Sequence, residues 1–121
     1  MQYMLLIYND ESEWAALGDA ERKSIVGEYL AFTDSIRESG NWIAGAPLHP
    51  TSSSTSVRLR DAEPLVTDGP FAETKEQLGG YYLVEAADAD EAIAIAARIP
   101  GARYGTIEVR PVLEVGARVP A

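Results

Sequence analysis

Proton transfer is the chemistry for which this sequence carries candidate groups. Asp68 opens the run Asp68-Gly69-Pro70-Phe71. Gly69 frees the backbone or lets another group approach closely, Pro70 fixes its own φ and restricts Gly69, and Phe71 sets an aromatic ring directly after a rigid turn. Two readings fit this spacing. Asp68 and Phe71 make a structural turn and a core plug, or the rigid loop aims Asp68 into a pocket. The one histidine, His49, stands in the loop segment Leu48-His49-Pro50. A neutral imidazole oriented by a carboxylate is the usual general base, whereas a lone loop histidine is more often only solvated.

Other groups could complete a ligand site, and each has a plainer alternative. Lys75, within Glu73-Thr74-Lys75-Glu76, either holds an anionic ligand or belongs to a solvated loop. Arg110 shares the polar side of the last strand with Glu108; it is a carboxylate anchor or a partner for that glutamate. Tyr8 and Tyr82 fall at strand positions that line a sheet-facing cavity or pack in a core or interface. Gly79-Gly80 lacks GxGxxG spacing and does not lead from a strand into a helix, so it is no nucleotide loop. The Ser/Thr-rich stretch 52–56 has no candidate base in fixed geometry and supports no nucleophile.

Composition removes several function classes. The sequence has 121 residues, no cysteine and a formal net charge of −9. Disulfides, thiolate metal sites and cysteine nucleophiles are excluded, and one histidine cannot make a two-histidine metal site in one chain. No metal or cofactor is therefore expected. The acidity argues against nucleic acid and anionic membranes as partners. No apolar stretch approaches the ~18 residues of a membrane-spanning helix, and the start, Met1-Gln2-Tyr3-Met4, has no basic leader region, so a cytoplasmic location is expected.

These side chains need a frame, and the patterning supplies one. Residues 2–8 form a short apolar run, a strand with both faces covered. A polar connection with a helical turn near Trp14 leads to a helix over 19–39. Its stripe is Ile25, Val26, Tyr29, Leu30, Thr33 and Ile36, with Asp19 as N-cap and Gly40 as the terminating residue. Strands follow at 42–48, 56–60 and 64–67, the last two as a hairpin. A strand at 78–85 leads to a second helix capped by Asp88 and ended by Pro100-Gly101. A final strand runs over 105–112. The order β-α-β-(hairpin)-β-α-β is an α+β, ferredoxin-like split βαβ pattern with an antiparallel sheet and an inserted hairpin. One domain over 1–115 and a tail over 116–121 are expected. Two helices cover one sheet face, so the apolar groups on the other predict a homodimer, sheet against sheet.

The motif, with Glu73-Thr74-Lys75-Glu76 and Gly79-Gly80-Tyr81-Tyr82 behind it, resembles the DGPF branch of the YciI-like, or YCII-related, proteins. Tyr3-Met4-Leu5-Leu6-Ile7-Tyr8 and Glu108-Val109-Arg110-Pro111 agree with it, so the likeness spans nearly the whole chain. The resemblance implies a dimeric α/β barrel and a cleft in which a histidine and an aspartate lie close together, here His49 and Asp68. It also implies a setting linked to an extracytoplasmic-function sigma factor. Two functions follow as expectations: a small-molecule enzyme using Asp68 and His49 for proton transfer, or a non-catalytic ligand-binding or regulatory module.

Overall fold

The computed structural model describes residues 1–115; the expected tail lies outside the described residues. Six strands and three helices follow the predicted order. The strands are β1 (Gln2–Asn9), β2 (Trp42–Pro47), β3 (Thr55–Arg60), β4 (Glu63–Asp68), β5 (Gln77–Glu85) and β6 (Thr106–Pro111). The helices are α1 (Glu11–Ala16), α2 (Asp19–Glu38) and α3 (Ala89–Ala97). A four-stranded antiparallel sheet runs β2-β5-β1-β6, with β3 and β4 forming a separate two-stranded sheet.

Strand alternation decides where the core lies. Tyr3, Leu5 and Ile7 of β1 and Tyr82 and Val84 of β5 are buried on one face. Phe32 and Ile36 of α2, with Ala92, Ile95 and Ala96 of α3, close over them. The α2 stripe keeps Ile25, Tyr29, Thr33 and Ile36 of the expected one, but one edge differs. Phe32 is buried, while Val26 and Leu30 are exposed. Gly18, not Asp19, is the N-cap, and Glu21 reaches back to the Gly18 amide. Asp88 caps α3 as predicted, its side chain accepting from the Glu91 amide at 2.9 Å.

Aromatic rings and hydroxyls lock α2 to the sheet. Tyr82 meets Phe32 edge-on, with ring centroids 5.1 Å apart. The Thr33 hydroxyl proton is committed to the Tyr29 carbonyl, so Tyr82 donates to Thr33 Oγ1 at 2.8 Å. The Tyr29 hydroxyl accepts from the Gly101 amide at 3.1 Å. Burial pushes the Tyr29 phenol up to about 12, because the ionised form loses water it cannot replace. A raised folded-state value means that the stabilisation is present below pH 10 and is lost as pH rises towards 12. Unfolding free energy measured across that window should therefore fall with pH in the wild type and fall less steeply in Tyr29→Phe. Equal slopes would remove Tyr29 as the cause.

Tyr8, Met4, Leu6, Tyr81 and Leu83 point the other way and are only half-buried. The register sets Met4 opposite Leu83 and Leu6 opposite Tyr81, so these side chains form one continuous apolar band. Ala44 and Ala46 of β2 extend it.

Candidate functional site

The connection between β2 and β5, residues 48–76, carries both proton-transfer candidates, and backbone bonds fix its course. The Leu48 amide donates to the Gly79 carbonyl at 2.9 Å, continuing the β2–β5 ladder into the loop. The short 3-10 turn Thr51–Ser53 is gripped by Glu11, whose carboxylate accepts from the Thr51 amide and from Thr51 Oγ1, both at 2.8 Å. The Glu11 amide is in turn bonded to Gln77 Oε1 at 3.0 Å. Nothing in the sequence marked this clamp. Residues 11, 51 and 77 are far apart along the chain and show no periodicity.

The Asp68-Gly69-Pro70-Phe71 turn is tied to the same loop. The Gly69 amide donates to the Ser54 carbonyl at 2.7 Å, and the Gly69 carbonyl accepts from Ser56 Oγ at 2.8 Å. Gly69 has φ +95, a conformation that costs an L side chain energy and glycine almost none. Its place in the motif is thereby explained. The turn and Ser54, which follows the Thr51–Ser53 turn, are hydrogen-bonded at the end of the β3–β4 hairpin. Asp68 and His49 are both exposed, and among the described residues neither side chain makes a hydrogen bond or ion pair. The backbone bond joins the Asp68 turn to Ser54, five residues beyond His49, and the two candidate side chains are not paired.

Alternation along β3 and β4 gives the hairpin two distinct faces. Pairs Val57–Val66 and Leu59–Pro64 make an apolar face, with Asp68 at its end opposite Thr55. Pairs Ser56–Thr67, Arg58–Leu65 and Arg60–Glu63 lie on the other. Val57 is 62% exposed, Leu59 73% and Val66 60%, so the apolar face has no cover within the chain. The two-residue turn, Asp61-Ala62, has positive φ at both positions, as a type I′ hairpin turn requires.

The remaining predicted residues scatter. Tyr8 lies on the open face of the main sheet, but Tyr82 faces the helices and is buried, so the two do not line one cavity; Tyr81 is the tyrosine beside Tyr8's face. Phe71 does not plug the core, being 82% exposed. Arg110 Nε donates to Glu108 Oε2 at 2.7 Å, so its plainer role is realised. Lys75 is exposed and adds a small share to holding the Asp10 carboxyl below its ordinary range, after the larger hydrogen bonds from the Ser12 hydroxyl and amide. Glu76 accepts from Thr106 Oγ1 at 2.9 Å, which anchors the segment behind the motif to β6. Among the described residues no cluster of potential metal ligands occurs, and no helix is long and apolar enough to cross a membrane.

The sequence model of the YCII-related domain matches residues 1–116. The chain is a YCII-related protein. An uncharacterised protein of Rhizobium meliloti (strain 1021) is 40% identical over 113 residues, covering 92% of this chain and 91% of the relative. Among solved structures, the 5-chloro-2-hydroxyhydroquinone dehydrochlorinase TftG of Burkholderia phenoliruptrix, in complex with 2,5-dihydroxybenzoquinone, superposes with a TM-score of 0.55. That match covers 93% of this chain and 94% of the other at 13% identity, so it establishes a shared fold. This YCII-related chain therefore has the α+β, ferredoxin-like α/β-barrel fold that its sequence predicted.

Proposed function

We propose that this YCII-related protein is a small-molecule enzyme that works as a homodimer, with Asp68 and His49 as its proton-transfer pair. The observation that carries this reading is the 2.7 Å bond from the Gly69 amide to the Ser54 carbonyl, which ties the motif turn to the end of the 48–54 segment that also carries His49. In this reading Asp68 accepts a proton from the substrate or orients His49 for that task. The apolar hairpin face beside Asp68 and the open band of the main sheet would wall the cleft, Tyr8 lining the sheet side. Lys75 and Arg110 would meet an anionic group of the ligand. Covering both apolar surfaces is what a second copy would do. The neighbour of the same fold is a dehydrochlorinase holding a dihydroxybenzoquinone, which favours a small cyclic organic substrate. The regulatory alternative, a module linked to a sigma factor, rests on the family resemblance alone.

A thermal-shift screen of metabolites supplies the substrate, since a ligand that binds only the folded state raises its melting temperature. With a turned-over hit in hand, Asp68→Asn and His49→Ala should each lower kcat by about 10²-fold or more. Unchanged turnover in both variants sinks the assigned roles. A hit that binds without turnover favours the non-catalytic module.

A further inference from the structure

We propose that the hairpin face opposite Asp68 is a binding site for a small aromatic carboxylate, held by Arg58 and Arg60 against Phe71. The face carries a half-open hollow of about 250 Å³, which suits a single-ring ligand. Arg58 and Arg60 are two residues apart on β3, so their side chains leave the same side of the strand with Cα atoms only ~6.6 Å apart. The other arginines of the described chain are engaged. Arg22, Arg103 and Arg110 are ion-paired with Asp19, Glu28 and Glu108. Arg37 lies over the Trp42 ring, and Arg98 over Phe32. Among the described residues only Arg58 and Arg60 have guanidinium groups without an ion pair, hydrogen bond or ring contact.

Two like charges side by side repel; Glu63, opposite Arg60 on the same face but not ion-paired with it, offsets part of that repulsion, and a bound anion would offset more. The chain carries a net charge of −9, so general attraction does not draw anions to it and a local donor set must. Guanidinium forks match a carboxylate in two-bond geometry. Ser56 Oγ has given its proton to the Gly69 carbonyl, but the Thr67 hydroxyl on the same face has no protein partner among the described residues and can donate a further bond. Leu65 and the exposed Phe71 ring complete the lining, and they offer an apolar floor and a stacking surface. Charge at one side and a ring at the other select an aromatic acid over an inorganic anion. Asp68 points from the opposite face, so this site stands independently of the proton-transfer reading.

Titration of the ¹⁵N-labelled full chain with benzoate tests it, with benzamide as the uncharged isostere and sulfate as the ringless anion. Saturable shifts at the Arg58, Thr67 and Phe71 amides are expected with millimolar benzoate and not with benzamide. The double variant Arg58→Gln, Arg60→Gln should bind benzoate at least tenfold more weakly. Phe71→Ala should weaken benzoate several-fold and leave acetate unchanged. If the double variant does not give a folded spectrum, Arg58→Gln alone carries the same expectation of weakened binding. Absent shifts, equal shifts with benzamide, undiminished affinity in the folded arginine variant, or sulfate binding as tightly as benzoate would each overturn the proposal.

Discussion

Replacing Leu83 with glutamate is expected to convert the proposed dimer to monomers that remain folded. Leu83 lies on central strand β5, between Ala44 of β2 and Met4 of β1, in the middle of the apolar band that the helices leave open. In a two-fold dimer built on this face the substitution occurs twice at one interface. Each buried, unpaired carboxylate costs about 3 kcal/mol, so the pair weakens association by about 6 kcal/mol, or roughly ten-thousandfold. Within one chain the same side chain is half-exposed; its cross-strand neighbours Met4 and Ala44 are uncharged, and Glu85, two residues along the strand, is already paired with the N-terminal ammonium. The fold should lose no more than about 1 kcal/mol, the range of strand propensity. Light scattering reads the mass and circular dichroism reads the fold. A variant that keeps the dimer mass shows that the open sheet face is not the interface.

Gly105→Ala should be the most destabilising exchange of a single methyl group. A Cβ at this position would lie 2.1 Å from the Tyr8 carbonyl oxygen and 3.2 Å from Asn9 Cβ. The carbonyl belongs to β1 where Tyr8 pairs with Thr106, and the Gly105 amide is itself bonded to the Gly101 carbonyl at 2.8 Å. Neither side can retreat without opening the β1–β6 ladder. Overpacking against backbone warrants about 3 kcal/mol, at the upper end of its usual range, and a fall in melting temperature of roughly 10 °C. Denaturant unfolding with an unchanged slope gives the stability directly. Gly27 on α2 is the matched control. A Cβ there meets nothing within 4 Å, and alanine favours a helix over glycine by up to about 1 kcal/mol, so Gly27→Ala should be neutral or stabilising. Equal behaviour of the two variants would show that the close approach at Gly105 carries no energy.

The fold was legible because its signals are local. The run 2–8, the glycine after α2, Asp88 at the start of α3 and the alternating β3 each reflect a period or a cap that a short window contains. The α2 stripe was read correctly at Ile25, Tyr29, Thr33 and Ile36, but Val26 and Leu30, which lie beside Thr33 on the helix, were taken in place of Phe32, one turn before Ile36. Hydrophobicity cannot say which apolar residue meets the sheet. The candidate site was less legible for a different reason. Tyr8 and Tyr82 both sit in strands, yet which face Tyr82 takes depends on register: it pairs with Leu5 on the buried face, while Tyr8 alternates to the open one. The Glu11–Thr51 clamp and the Gly69–Ser54 bond join residues that only the folded chain brings together. Asp68, by contrast, stood out in the sequence because glycine and proline next to it leave the backbone so few shapes.

The Leu48–Gly79 bond has one more consequence, for how this protein can change over generations. It pins the two ends of the 48–76 excursion where they leave the main sheet, just beyond the Pro47–Gly80 pair. Between the Glu11–Thr51 clamp and the Glu76–Thr106 bond, the hairpin itself is an appendage whose length the four-stranded core senses little, since lengthening a closed loop costs only a logarithm of its size. Recognition can therefore drift on the hairpin while the scaffold stays constant, without the usual penalty that links a new specificity to a weaker fold.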